Sequence, residues 1–178
     1  MRDGHRLLRE ATHAAHERLD GLFASFDLGS DAGYRRFIGA QASAMLPVEA
    51  ALGDGGAEQV VDDWPSRRRS DALLADAAAL GVTPRPVAAP VFDSLPSVAG
   101  ALYVVEGSRH GARHLVRQVA AGFPLRFLDI DQVPGNWGKL LDRVDMILYS
   151  LDTRDKAVTA ALATFDCFER AGRNWMND

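Results

Sequence analysis

At roughly 100° per residue, Leu8, Ala11, Ala15, Leu19 and Leu22 fall within about 80° of one another around a helix axis. A stripe of that width needs a partner surface, and the segments that follow keep the helical period. The pattern predicts a first helix over residues 6–23. A second opens at Asp31 as N-cap and carries Tyr34, Phe37, Ile38, Gln41 and Met45. Pro47 predicts a kink or short break in it, and Gly53-Asp54-Gly55-Gly56 ends it. Trp64-Pro65-Ser66 introduces a third helix running to about residue 80, with Arg67-Arg68-Arg69 near its start reading as a solvated face. Residues 83–90, with three prolines, form a loop. Ser94 caps a long helix that has Pro96 in its first turn and runs to about residue 121. Phe123-Pro124 stops it, and Pro134-Gly135 closes the following loop. Helices over 137–151 and 153–173, the latter capped by Thr153, finish the chain. Strand signals are weak, and the apolar run at 102–105 lies in a helical context. The chain is therefore expected to be all-α, a compact helical bundle, with residues 1–178 forming one domain.

Composition narrows the function classes. With 178 residues, 47% hydrophobic and 25% charged, the chain can bury a core without covalent staples. A net charge of −4 gives no reason to expect nucleic acid or an anionic membrane surface as partner. The single cysteine, Cys167, excludes an intrachain disulfide and a cysteine-based zinc or iron–sulfur site. No apolar run reaches the roughly 20 residues of a membrane span, and the charged start does not read as a signal peptide, so a cytoplasmic location is expected.

Two segments carry chemistry. In the first helix Arg9, Thr12 and His16 lie along one line at the flank of the apolar stripe, with a rise of about 10 Å from Arg9 to His16; His13 falls on the far side, toward water. A lone helix histidine is usually solvated, so the pair needs support from elsewhere. The long helix has two faces. Val98, Ala101, Val105, Ala112, Val116 and Val119 form a core stripe. Gly100, Gly107, Gly111, His114 and Gln118 fall within roughly 60° of one another on another side, with Tyr103 and Val104 at its edges. Three interior glycines cost about 1 kcal/mol each relative to alanine. Close helix packing or a kink would account for them, and so would a flat ligand resting on the backbone.

The chain resembles the haem oxygenases, in their short bacterial biliverdin-producing branch. Thr12-His13-Ala14-Ala15-His16 is similar to the family's proximal pattern, which implies His16 as axial ligand to the iron and Arg9 as a propionate partner. Tyr103-Val104-Val105-Glu106-Gly107-Ser108-Arg109-His110-Gly111-Ala112 is similar to the distal-helix pattern. Weaker likenesses lie at Tyr34-Arg35-Arg36-Phe37, at Trp137 with Leu140 and Leu141, and at Phe165 and Phe168. The resemblance implies haem b sandwiched between the first helix and the glycine-bearing helix. It further implies oxidation of haem to biliverdin, carbon monoxide and ferrous iron, with electrons from an external reductase or ferredoxin. An electron-donor protein is then a partner, and a bilin-binding photoreceptor a downstream one. Gly107 and Gly111 would form a distal backbone wall leaving room for ordered water, since a strong side-chain acid there would favour O–O cleavage over attack on the porphyrin. Thr12, Tyr103 and Ser108 would contact haem, and Lys139 and Arg143 are candidate propionate partners.

Two departures stand out. Arg109-His110 replaces the family's Asn-Leu, and His114 stands where an apolar residue is expected. Either histidine could approach the iron or its distal water. They keep open an alternative of another class, a non-catalytic haem sensor or carrier using His16 and a distal histidine. An unrelated cofactor-free bundle would require both motif matches to be accidental.

Overall fold

The computed structural model describes residues 3–130 and 133–177. Eight α-helices order them: α1 (Asp3–Phe23), α2 (Asp31–Asp54), α3 (Trp64–Arg67), α4 (Ser70–Ala79), α5 (Leu95–Gly107), α6 (Arg109–Val116), α7 (Asn136–Ile147) and α8 (Leu151–Met176), with a 3-10 turn at Ala57–Gln59. The fold is all-α. Among the described residues there is no strand, and no helix is long and apolar enough to cross a membrane. α8 is the spine on which α1, α2 and α5 pack; α7 lies against α5 and α1, and α4 covers α2.

α5 is buried on nearly every side, Ser97 and Glu106 included. Val98, Ala101 and Leu102 are fully covered, whereas α6 has no buried residue. Gly100 explains how α5 comes so close to the spine. A Cβ there would fall on the carbonyl oxygen of Ala157 in α8, so this glycine serves helix packing and is not part of a ligand face. In α1 the buried line is Gly4, Leu8, Thr12 and Ala15, while Ala11 is exposed. Thr12 can replace it inside because its hydroxyl donates to the Leu8 carbonyl at 2.7 Å.

Several boundaries differ from the sequence expectation, each through a tertiary contact. α2 runs unbroken past Pro47. Proline cannot donate to the carbonyl four residues back, that of Ser43, and the Val87 N–H from the following loop takes its place at 2.9 Å. The expected third helix is split into α3 and α4. Arg68 turns extended, and the Glu49 carboxylate of α2 accepts the backbone N–H groups of Arg69 and Ser70, at 2.7 and 3.0 Å, at the start of α4. The expected long helix breaks at Ser108 and ends at Val116. Ser30, and not Asp31, caps α2 through the Gly33 N–H at 3.1 Å; Ser150 caps α8, with Thr153 as its reciprocal capping-box partner.

The glycines are separable by experiment. Gly100→Ala should cost about 1–3 kcal/mol or more, because a backbone carbonyl cannot yield as a side chain does. Gly111→Ala meets nothing within 4 Å and should stabilise the haem-free protein by up to about 1 kcal/mol. Thermal or urea unfolding of the two variants checks the sign of each.

Candidate functional site

Two ties join the α1 segment to the α5–α6 segment, in the same order along both. His5, near the start of α1, is in ring contact at 5.9 Å with Tyr103, in the second half of α5; beyond the ends of α1 and α6 the Ala120 N–H donates to the Leu28 carbonyl at 3.3 Å. His16 lies between these ties on α1, and Gly107 and Gly111 lie between them on α5–α6. On α1 Arg9 and His16 fall within about 40° of His5, so all three share the side turned toward α5. Trp137 of α7 closes the tied end, with ring centroids 5.6 Å from Tyr103, 6.0 Å from His5 and 5.0 Å from His110.

His16 is exposed, and its environment is specific. Its Nδ1 lies 3.3 Å from the Asp20 carboxylate, and its ring meets Phe165 of α8 edge-on at 5.9 Å. Among the described residues no hydrogen bond or ion pair is made by its Nε2. His13 is exposed as well, with Glu17 at 3.3 Å and, among the described residues, no aromatic ring against it. Opposite, Gly111 presents bare backbone with nothing within 4 Å of a would-be Cβ, and Gly107 sees only the Trp137 ring, at 3.6 Å. Burial holds the Tyr103 phenol above its ordinary pKa, and the nearby Arg9 charge opposes that rise. Arg9 thus acts on Tyr103, and Tyr103 and Gly107 both border the Trp137 ring.

Other expected contacts are engaged elsewhere. Thr12 is buried and bonded within α1. Arg143 donates to the carbonyls of Gln59 and Val60 at 3.0 and 3.2 Å. Lys139 acts on Asp63, whose carboxyl burial alone would raise but which the Arg67 hydrogen bond and charge, with Lys139 beyond, hold below the usual range. Arg143 would have to give up those two carbonyls to reach a propionate, whereas Lys139 is exposed and acts on Asp63 only through its charge. His110 lies against Trp137, its Nδ1 3.1 Å from the Gly107 carbonyl, while His114 is exposed on α6.

The break at Ser108 is built from side chains. The Ser108 hydroxyl donates to the Val105 carbonyl at 2.7 Å, and Arg69 Nη2 reaches both groups at 2.7 Å. Arg69 is buried over Phe127, its guanidinium 5.3 Å from the ring centroid. Burial and the charge of Arg109 press its pKa down to about 10. Glu106, also buried, accepts from Arg67 at 3.3 Å and Arg109 at 3.0 Å; Arg67 in turn holds Asp63 at 2.6 Å. The arginine triplet is therefore no solvated face: Arg67 and Arg69 are each 3% exposed and fasten α3 and α4 to the glycine-bearing helix. Sequence reasoning also passed over His5, although its spacing from Arg9 and His16 sets it on their face.

No family model matches the chain. It is 30% identical over 126 residues to a haem oxygenase from Xanthomonas campestris pv. campestris, an alignment covering 67% of this chain and 76% of that protein. The fold matches the NO- and CO-bound haem oxygenase from Neisseria meningitidis with a TM-score of 0.82 at 21% identity, over 98% of this chain and 92% of that one. It also matches haem oxygenase from Leptospira interrogans with a TM-score of 0.76 at 18% identity, over 98% and 100% of the two chains. The sequence likeness spans two thirds of this chain, and on that ground it belongs to the haem oxygenase family.

Proposed function

We propose that the protein converts haem b to biliverdin, carbon monoxide and ferrous iron as one cytoplasmic domain over residues 1–178. Electrons come from an external reductase or ferredoxin, and a bilin-binding photoreceptor is a downstream user of the product. The observation that carries this reading is the pairing of the exposed His16 imidazole on α1 with the bare Gly111 backbone on α6, between the two ties that join these helices. A Cβ at Gly111 would meet nothing within 4 Å, so the backbone there is open to the close approach a flat macrocycle needs. When bound, haem supplies the iron that activates oxygen and the porphyrin carbon that is oxidised.

The chain's own residues hold and orient. His16 would hold the iron through its imidazole, with Asp20 beside Nδ1 orienting the ring. Phe165 limits rotation of that ring from the α8 side. Arg9 and Tyr103 would hold the haem carboxylates, the first by a charge-assisted contact and the second by a neutral one. Gly107 and Gly111 would admit water close to the backbone, while the Ser108 hydroxyl is held by Val105 and Arg69. His110, lying against Trp137 and bonded to the Gly107 carbonyl, positions the start of α6 and is not an iron ligand. That leaves His114 as the distal imidazole a sensor or carrier would need.

The test is to add haemin, then ascorbate or a reductase system, and follow the visible spectrum. Loss of the Soret band with appearance of biliverdin is expected, starting from a high-spin ferric complex whose water ligand titrates to hydroxide. A stable low-spin bis-imidazole spectrum that His114→Leu converts to high spin would overturn the enzyme reading in favour of the sensor.

A further inference from the structure

Residues 107–128 contain four arginines and two histidines but neither aspartate nor glutamate, in a chain whose net charge is −4. Most of these cations lie on α6, which buries none of its residues. Arg109 donates to the Glu106 carboxylate at 3.0 Å and to the Arg67 carbonyl, so it belongs to the junction with α3. The others face outward: His110, Arg113, His114 and Arg117 are all exposed. At roughly 100° per residue they cover one arc of about 100°, and His114 at its edge stands about 60° from Gly111. The arc therefore borders the glycine side. Behind it the Trp137 ring meets His110 at 5.0 Å and Tyr103 at 5.6 Å, joining it to the end where Arg9 lies.

Such an arc weakens the helix that carries it. Arg113 and Arg117 are like charges at i,i+4, and so are His110 and His114 when protonated. The helix dipole favours cations in the last turn and disfavours them in the first, where His110 lies. Neighbouring carboxylates do not compensate. Glu106 is buried and taken by Arg67 and Arg109. Asp76 is buried and accepts the backbone N–H groups of Arg126 and Phe127, at 3.2 and 2.9 Å. Asp27, beyond the end of α6, accepts the Gly29 N–H at 3.1 Å, and Asp129 is exposed in the loop after Arg126. Among the described residues, neither Arg113 nor Arg117 forms an ion pair with any of them. Given the haem-degrading reading, we infer that Arg113 and Arg117, flanked by His110 and His114, dock the acidic face of the electron donor, an iron–sulfur protein of the ferredoxin class. A chain of negative net charge repels an acidic partner except at such a patch, which both speeds the encounter and orients it. The donor arrives reduced and leaves with one electron fewer, that electron passing to the bound haem beside the glycine edge.

Calorimetry of an acidic [2Fe–2S] ferredoxin against the full haem-free chain at low ionic strength reads the docking apart from turnover. Saturable one-to-one binding that weakens steeply with added salt is expected. Arg113→Glu with Arg117→Glu should weaken it at least tenfold, and Arg113→Gln with Arg117→Gln by less. Lys156→Glu with Arg170→Glu, the same change of net charge placed on α8, should leave it near wild type. With haem loaded, the reversal on α6 should raise the KM for ferredoxin at least tenfold while haem loss driven by ascorbate keeps its rate. Absence of ferredoxin binding by the wild type overturns the proposal, as does equal weakening by the two charge-reversed pairs. Tighter binding of mixed-sequence duplex DNA than of ferredoxin would make the arc a nucleic-acid surface and overturn it too. Ascorbate that drives no haem loss in the wild type counts against the haem-degrading reading, while the calorimetry still decides the docking.

Discussion

His16→Ala is expected to abolish haem turnover and to change the visible spectrum of the haem complex, with added imidazole restoring part of both, while His13→Ala stays near wild type. Exposure does not distinguish the two histidines, since both rings stand open to solvent and each has a carboxylate one turn on. Direction does. His16 shares the side of α1 that carries His5 and Arg9 and leans on Phe165 of the spine; His13 has only Glu17. An iron ligand needs its ring held against rotation, and one aromatic edge with one carboxylate supplies that. Single-turnover spectra of the two variants, with and without imidazole, are the measurement. Equal losses in both would show that the shared face of α1 is not the haem face.

The sequence made the helical class and the order of the helices readable, because local period and turn residues encode them. What it hid came from contacts distant along the chain. Pro47 is harmless because Val87, forty residues away, donates to the carbonyl that the proline strands. Arg67-Arg68-Arg69 looks like a solvated face on an ideal helix; the chain turns extended at Arg68, and two of the three side chains go inward to a carboxylate and a carbonyl of α5. The glycine face of the long helix was also half legible. Phase put Gly100 with Gly107 and Gly111, yet Gly100 seats α5 on Ala157 while Gly111 lies open. A wheel drawn straight through Ser108 cannot separate packing glycines from exposed ones once the helix breaks there. For the candidate site, His16, Arg9, Tyr103 and Gly111 follow from motif and phase. The engagement of Thr12 and Arg143 elsewhere follows only from their partners in space.

Glu106→Gln should destabilise the protein by about 3–5 kcal/mol, the usual cost of removing one member of a buried ion pair. Glu106 is 4% exposed and is the carboxylate that Arg67 and Arg109 both contact. The amide keeps the shape and loses the charge, leaving two guanidiniums facing each other where water is scarce. For a chain of this length that corresponds to a fall in Tm of roughly 6–20 °C. Arg67→Met should also destabilise, since Asp63 and Glu106 each lose their contact with it. The double variant should cost less than the sum of the two, because the second substitution removes a charge that the first has stranded. Thermal unfolding of the wild type, both single variants and the double variant closes the cycle. Additive losses would mean that Glu106 and Arg67 act independently, and that this network does not fasten α3 to the glycine-bearing helix.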